Sequence, residues 1–292
     1  MYSNVAHYCS EVRIGNWFED ICREREKYQN FKSARDTGQL MVEKTRQLFD
    51  NFLGHVELEA PKDTISYGAT IQLQPYYIPG FNDKNAVPPA LSIIINERVV
   101  RSSPTINEFC EVTIAPSPKP YVRNSFRIVP ADNFTTNSDL LHYGQKFRLE
   151  CIGSQEKLYL YATPKAQDLS LQVQTNYKSY KRGELNMPIG IGRARDFGVG
   201  KLIPTVFADW HCRHIIPIER FETDGLPIPS NSPLVITHTT TNKNLAVENC
   251  VVQTLFGPEY LVSVQNYADN YKREKWQNAW MITNGYRFRA KQ

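Results

Sequence analysis

Two segments of this 292-residue chain have nearly the same pattern, and that pattern decides the fold. They read ISYGATIQL (residues 65–73) and LHYGQKFRL (residues 141–149). Each has an apolar residue, a polar residue and a Tyr-Gly pair, followed by a stretch in which apolar and polar residues alternate. Alternation predicts a half-buried strand, and the glycine predicts a tight turn with a positive φ before it.

A third, weaker copy reads IPSNSPLVI (residues 228–236), with Asn231 in place of the glycine. Asparagine also tolerates the left-handed region. Three copies of one unit predict pseudo-threefold symmetry, and a β-trefoil is the barrel that has it. The alternative is a chance match of two Tyr-Gly turns in another β protein.

The copies are far apart for a compact trefoil, so loop insertions are expected. The proline-rich segment Ala115–Pro120 and the segment Tyr177–Gly200 are the candidates. The sequence therefore predicts an all-β, β-trefoil-like body over residues 61–292, preceded by an N-terminal arm over residues 1–60. Many aromatic residues (16 Tyr, 14 Phe, 4 Trp) and 18 prolines agree with strands and turns.

The arm differs from the body because it is rich in charged helix-forming residues. Residues 19–53 contain seven acidic and seven basic side chains. They predict a first helix that breaks at Asp36-Thr37-Gly38, with Gly38 in a left-handed cap, and a second helix from about Leu40 to Phe52. The second helix has a thin apolar stripe formed by Met41, Leu48 and Phe52. Such helices either lie across the body or dock on a partner.

An extended segment, VRIGNW (residues 12–17), is expected before these helices. Two interpretations of it stay open. It is either an N-terminal strand that covers the core, or an exposed peptide with Arg13 and Trp17 as anchors, two residue types that are frequent in binding hot spots.

Composition and charge exclude several classes. The apolar and charged fractions, 41% and 22%, are those of a globular protein. No apolar run approaches the ~20 residues of a membrane span, and the N-terminus has no signal-peptide pattern, so a soluble, intracellular protein is expected. Six scattered cysteines are expected to be reduced thiols. The net charge of +4 is mild for a nucleic-acid binder.

No catalytic or cofactor motif is complete. The glycines near Lys201 do not form a phosphate-binding loop, because Arg195 occupies the position of its first glycine and Leu202 follows the lysine. The segment His211-Cys212-Arg213-His214 has no second ligand pair at zinc-like spacing, so a strand or loop with Trp210 packed inward is expected. His238 is expected to be a hydrogen-bonded core or rim residue. We predict no enzyme, cofactor or metal site.

Basic residues concentrate in two segments that also contain aromatic residues, 177–201 and 271–292, each with six lysines and arginines. This pattern suits an acidic protein surface, single-stranded nucleic acid or simple solvation. The candidate partner-binding residues come from the first basic segment and the start of the arm: Arg13, Ile14, Asn16, Trp17, Glu19, Asp20, Lys178, Lys181, Arg182, Arg193, Arg195 and Lys201.

These residues bring the sequence close to a known family. The segment VRIGNW, the pair Glu19-Asp20, the charged helix and Arg35-Asp36-x-Gly38-x-Leu40 resemble the start of the cilia- and flagella-associated protein 161 family. The two Tyr-Gly copies resemble its repeats. Further matching segments are Gly225–Pro229, Ile236-x-His238, Thr241-Asn242, Leu245-Ala246 and Asn278-Ala279-Trp280-Met281, in which Ala279 replaces the family's histidine.

The resemblance implies a non-enzymatic microtubule inner protein. Such a protein would lie in the lumen of the ciliary doublet microtubule, bind tubulin and neighbouring inner proteins, and stabilise the axoneme for motility. Nucleic acid and membranes are not expected partners. The rival hypothesis is a trefoil module that binds a sugar or a phosphorylated small molecule.

Overall fold

The computed structural model describes residues 13–59, 62–79, 88–162 and 187–284. Short gaps occur at 102, 108–109, 117–118, 133–134, 137–138, 155–156, 194, 197–201 and 204–205. The described residues form fourteen strands: β1 (Thr70–Pro75), β2 (Pro89–Ile94), β3 (Glu111–Pro116), β4 (Phe126–Pro130), β5 (Lys146–Cys151), β6 (Leu158–Ala162), β7 (Met187–Arg193), β8 (Arg195–Asp196), β9 (Leu202–Ile203), β10 (Trp210–His214), β11 (Leu234–His238), β12 (Lys243–Thr254), β13 (Gly257–Val264) and β14 (Trp280–Thr283).

Six antiparallel strands close into a barrel. Their order around the ring is β1-β4-β5-β10-β11-β14, and β14 pairs again with β1. Strands alternate side chains between two faces, so each barrel strand directs every second residue inward. Two apolar residues from each strand are completely buried and fill the interior: Ile71, Leu73, Phe126, Ile128, Phe147, Leu149, Trp210, Cys212, Leu234, Ile236, Trp280 and Ile282.

The remaining long strands form one pair in each of three lobes. These pairs are β2-β3, β6-β7 and β12-β13, and strand β13 also pairs with both β3 and β7. Each lobe therefore contributes two barrel strands with a strand pair between them. This is the predicted β-trefoil-like, all-β body, and the prediction of the fold class is confirmed.

The three predicted repeat copies meet in a cyclic set of backbone hydrogen bonds. The amide of Leu141 donates to the carbonyl of Ile65 (2.8 Å), Ile228 to Leu141 (2.9 Å) and Ile65 to Ile228 (3.1 Å). The next turn residues have positive φ in all three copies: 82° at Gly68, 79° at Gly144 and 57° at Asn231. The prediction that Asn231 replaces the glycine in a left-handed turn is therefore confirmed.

The threefold relation extends to the last strand of each lobe. The turn residues Gly68, Gly144 and Asn231 donate to the third residues of these strands, and Phe126, Trp210 and Trp280 are their first residues. Both indoles donate a hydrogen bond inside their own lobe. Trp210 Nε1 lies 3.0 Å from the carbonyl oxygen of Leu160, and Trp280 Nε1 lies 2.8 Å from that of Leu245. Trp210 is packed inward on a strand, as predicted.

The arm contains two helices, α1 (Arg13–Asp36) and α2 (Met41–Phe52). Gly38 has a φ of 68°, so the predicted left-handed break between them is confirmed. The prediction of an extended segment or strand over residues 12–17 is wrong from Arg13 onward, because α1 begins there. The barrel is closed by the β1-β14 pairing and offers no free edge to an extra strand, whereas the charged run after Trp17 favours a helix.

Two predicted loop insertions are partly strands. Residues Glu111–Pro116 belong to β3, so the first two residues of the proposed loop Ala115–Pro120 are the end of that strand. Met187–Arg193 form β7 in the predicted basic loop. Neither segment shows apolar-polar alternation over its length, yet each lobe requires a third strand to pair with its second. Residues 177–186 lie outside the described part of the chain. The division at residue 60 stays a prediction.

Candidate docking surfaces

Helix α1 presents aromatic side chains to solvent on one face. Trp17, Tyr28 and Phe31 are 65%, 69% and 52% exposed, and Ile21 lies between them. Spacings of four, seven and three residues place all four on the same side of a helix. We call these four residues the α1 stripe. An aligned and exposed apolar stripe of this kind indicates a binding face rather than a solvated surface.

Basic residues border the α1 stripe. Helical spacing places Arg25 and Lys32 along one edge and Lys27 along the other, and all three are exposed. Among the acidic residues of α1, Glu19 and Glu26 fall on the opposite side, and Glu24 falls within the stripe. Asp20 falls at the edge near Lys27 but pairs with Arg23, and Asp36 pairs with Arg35. The face that carries the aromatic residues is therefore bordered mainly by positive charge, which suits an acidic partner.

Helix α2 attaches the arm to the body. Leu48 and Phe52 are completely buried in the main hydrophobic core. The ring of Phe256, at the turn between β12 and β13, stacks on Phe52 with centroids 5.8 Å apart and meets the edge of Phe49 at 5.4 Å. Asn51 adds a hydrogen bond to the carbonyl of Pro104 (2.9 Å). The second helix is thus part of the packed body.

A buried ion pair supports the ring of Phe256 from its other side. The guanidinium carbon of Arg123 lies 3.9 Å from the ring centroid, and Arg123 Nη2 lies 2.7 Å from Glu259 Oε1. The hydroxyl of Thr113 donates to the second carboxylate oxygen of Glu259. Burial lowers the pKa of Arg123, and the Glu259 charge opposes that shift. The attachment of the arm therefore depends on a charged pair removed from water.

The sequence-predicted site residues fall into three groups. Arg13, Ile14, Asn16, Trp17, Glu19 and Asp20 all lie in the first turns of α1. Arg193 ends β7, Arg195 begins β8, and Lys178, Lys181, Arg182 and Lys201 lie outside the described residues. Trp17 is exposed on the helix, and its role as an anchor stays a prediction. Tyr28 and Phe31 were missed, although their helical spacing from Trp17 is a signal that the sequence contains.

A cleft of about 310 Å³ lies on the body where the Tyr143-Gly144 turn faces β10. The alternation of β10 directs Cys212 into the core and His211 and Arg213 into the cleft. A short helix, α3 (Arg220–Thr223), forms the opposite wall. From the sequence, residues 211–214 were considered as a metal cluster and expected to be a strand or loop, and no cleft was predicted there. In the described part of the chain, no group of three His, Cys, Asp or Glu residues is placed to hold a metal ion.

Two histidines of this region, His211 in the cleft and His238 on β11, have lowered pKa values that favour the neutral ring. Burial, with the charges of Arg213 and Lys146, lowers the pKa of His211 to about 4. Burial also lowers the pKa of His238, whose ring nitrogens contact the Thr241 hydroxyl and the Phe207 carbonyl oxygen, both at 2.9 Å. The prediction that His238 is a hydrogen-bonded core residue is confirmed.

The lowered pKa of His211 predicts that acid weakens the fold. The unfolded chain binds a proton at about pH 6.5 and the folded chain only near pH 4, so the stabilisation is complete above pH 6.5 and is lost as the pH falls toward 4. Urea unfolding at pH 7.5 and 5.5 is expected to show a smaller loss of stability in His211→Gln than in the wild type. Equal losses in both proteins would contradict this assignment.

Five of the six cysteines lie in the described part of the chain. Cys22, Cys110, Cys151, Cys212 and Cys250 are free thiols, and the three central ones are buried. Burial raises the pKa of Cys110 to about 11, and it also raises the pKa of Cys151 and of Cys212. None of the helices in the described ranges is both long enough and apolar enough to cross a membrane.

The fold of this chain is similar to that of a solved structure. The chain is similar to the S. cerevisiae protein O-mannosyltransferase Pmt1-Pmt2 complex bound to the sugar donor, with a TM-score of 0.50 and 12% identity over 80% of this chain and 28% of that one. It is also similar to the SDF2-like protein from Arabidopsis thaliana, with a TM-score of 0.48 and 15% identity over 75% and 94% of the two chains. At 12% identity, the likeness to the Pmt1-Pmt2 structure shows the fold alone.

Comparison with other sequences shows the family. The model of the cilia- and flagella-associated protein 161-like domain matches residues 44–285. Cilia- and flagella-associated protein 161 of Bos taurus is 30% identical over 95% of this chain and 82% of its own length. The protein of the same name from Danio rerio is 28% identical over 97% and 90%. The chain therefore belongs to the cilia- and flagella-associated protein 161 family.

Proposed function

We propose that this protein is a non-enzymatic microtubule inner protein of ciliary and flagellar doublet microtubules. It binds tubulin on the luminal side, contacts neighbouring inner proteins and stabilises the axoneme during beating. The cilium or flagellum as its location is supported by the names of its relatives. The tubulin contact is supported by the surface of α1.

The α1 stripe is the observation that carries the proposal. The side chains of Trp17, Tyr28 and Phe31 are each more than half exposed, whereas the solvent-facing side of a helix is usually polar. Aromatic residues contribute much of the binding energy when a partner covers them. The basic border of the stripe suits the acidic surface of tubulin, where charge directs orientation and speeds association. Because α2 is anchored in the body and α1 precedes it across the break at Gly38, the stripe is presented on a helix that is already formed, which lowers the entropic cost of binding.

The sharpest test replaces two of these aromatic residues. The double variant Trp17→Ser with Phe31→Ser is expected to bind tubulin at least tenfold more weakly, because each side chain is a candidate hot spot. Binding is measured by co-sedimentation, with the full chain either present during tubulin assembly or added to closed microtubules. A luminal protein is incorporated in the first case and largely excluded in the second.

The matched control is Val42→Ser, because Val42 is 81% exposed on α2 and lies outside the stripe. It is expected to bind like the wild type. Equal sedimentation of the wild type in both assembly protocols would contradict the luminal location. Equal affinity of the wild type and the double variant would contradict the role of the stripe. A cryo-electron microscopy map of axonemes gives an independent check, since this fold must appear inside the doublet microtubule.

A further inference from the structure

We propose that the body has a second tubulin-docking surface, formed by the cleft beside β10 and the apolar turn next to it. This inference rests on the proposed function and adds a second contact to it, on the body and separate from α1. The surface would take an acidic side chain of the partner in the cleft and cover the apolar turn with the partner's neighbouring apolar residues.

The apolar turn exposes large side chains almost completely. Ile218 is 87% exposed and Phe221 is 92% exposed, and Ile216 and Leu226 nearby are about half exposed. We call these four residues the Phe221 patch. Single exposed apolar residues are ordinary on a protein surface, but a group of this size on one short turn indicates an interaction site.

The Phe221 patch lies on a braced segment. Arg220 Nε donates to the carbonyl oxygen of His214 (2.9 Å), and Arg220 Nη2 contacts Glu274 Oε1 (3.0 Å). The hydroxyl of Thr223 donates to the Glu219 carbonyl oxygen (2.7 Å), and the Glu219 carboxylate lies 3.4 Å from His214 Nδ1. These bonds hold the turn in one shape, so little entropy is lost when a partner covers it.

Arg213 provides the positive charge that would bind the partner's carboxylate. Its Nε donates to His211 Nε2 (3.0 Å) and its Nη2 to Asn242 Oδ1 (2.7 Å), and both acceptors are uncharged. Among the residues that the structure describes, no carboxylate lies within ion-pair distance of Arg213. Glu274 is bonded to Arg220 and to Asn244. The guanidinium is thus oriented by neutral groups, and a carboxylate from outside would neutralise it.

The other charges around the cleft do not prevent a partner carboxylate from binding Arg213. Burial lowers the pKa of Arg213, and the positive charge of Arg220 adds to that shift, whereas the negative charge of Glu274 opposes it. Asp224 also lines the cleft, but its carboxylate is packed where a side chain on Gly144 would stand. Lys146 contributes a further positive charge near His211. A partner carboxylate would therefore enter a positive environment.

A protein surface fits this arrangement better than a small anion. A free phosphate would use the cleft and leave Ile218 and Phe221 in water. An acidic protein with apolar residues beside its carboxylates uses both features, as tubulin would under the proposed function. Two separate contacts, on α1 and on the body, also raise affinity because the second forms within an already bound complex.

The experiment measures binding of the full chain to immobilised tubulin dimers. The variant Ile218→Ser with Phe221→Ser is expected to weaken binding about tenfold, and Arg213→Gln about fivefold. Val251→Ser is the apolar control because Val251 is 52% exposed on β12, and Arg127→Gln is the charge control because Arg127 is also exposed. Both controls are expected to bind like the wild type. Circular dichroism confirms that each variant is folded.

The outcomes separate this inference from the proposed function. If the wild type and the Ile218/Phe221 variant bind equally while the α1-stripe variant is weakened, the second surface is refuted and the proposed function stands. If inorganic phosphate raises the Tm of the wild type but not of Arg213→Gln, while tubulin affinity is the same in both, the cleft is a small-anion site and the inference is wrong. If the wild type does not bind tubulin, both proposals fail.

Discussion

Replacement of Trp280 by alanine is expected to lower the free energy of unfolding by about 3–5 kcal/mol, as large-to-small changes at buried tryptophans do. The side chain is completely buried at the start of β14, where the barrel closes against β1 and β11. The cavity left by the indole lies between three strands whose backbone pairing limits collapse into it. Urea unfolding followed by circular dichroism measures the change without relying on tryptophan emission.

The control is a tryptophan on the surface of the protein. Trp17 is 65% exposed on α1, so Trp17→Ala is expected to change stability by less than about 0.5 kcal/mol. The carbonyl of Leu245 also accepts a hydrogen bond from Asn278, so loss of the indole does not leave it without a donor. A loss below about 1 kcal/mol in Trp280→Ala would show that the barrel relaxes into the cavity.

The trefoil could be predicted from the sequence because its symmetry lies in short-range patterns. A Tyr-Gly turn with positive φ, followed by an alternating strand, is a local feature that appears twice and then once with Asn231. The equivalence of Phe126, Trp210 and Trp280 was harder to detect, because a phenylalanine and two tryptophans match in size but not in identity. Strand β7 was missed because its apolar residues alternate with a proline and two glycines, which weaken a strand prediction, and because its pairing with β6 is decided by tertiary contacts.

The candidate surfaces were less predictable than the fold. The spacing of Trp17, Tyr28 and Phe31 is visible in the sequence, but it has meaning only once residues 13–36 are known to be one helix. The Phe221 patch and the cleft depend on which face of β10 is buried and on contacts between residues far apart in the chain, such as Arg220 with Glu274. The ion pair of Arg123 and Glu259 spans 136 positions, and no local pattern indicates it.

Replacement of Glu259 in that ion pair is expected to lower the free energy of unfolding about as much as Trp280→Ala does. Glu259→Leu leaves the Arg123 guanidinium buried without a counter-charge, which typically costs about 3–5 kcal/mol. Side chains of the pair are only 6% and 2% exposed, so water cannot replace the lost carboxylate without opening the core. A matched surface pair is Arg127 with Glu150 at 3.9 Å, and Glu150→Gln is expected to cost less than about 1 kcal/mol.

The double variant Arg123→Met with Glu259→Leu decides whether the damage comes from the uncompensated charge. Because apolar residues of similar size can replace a buried pair without loss, the double variant is expected to regain most of the stability that Glu259→Leu loses. Since Phe256 packs between Arg123 and α2, the single variant is also expected to expose the arm to protease before the body unfolds. A double variant as unstable as Glu259→Leu would show instead that the pair's hydrogen bonds to Thr113 and its packing on Phe256 are what stabilise the attachment of the arm.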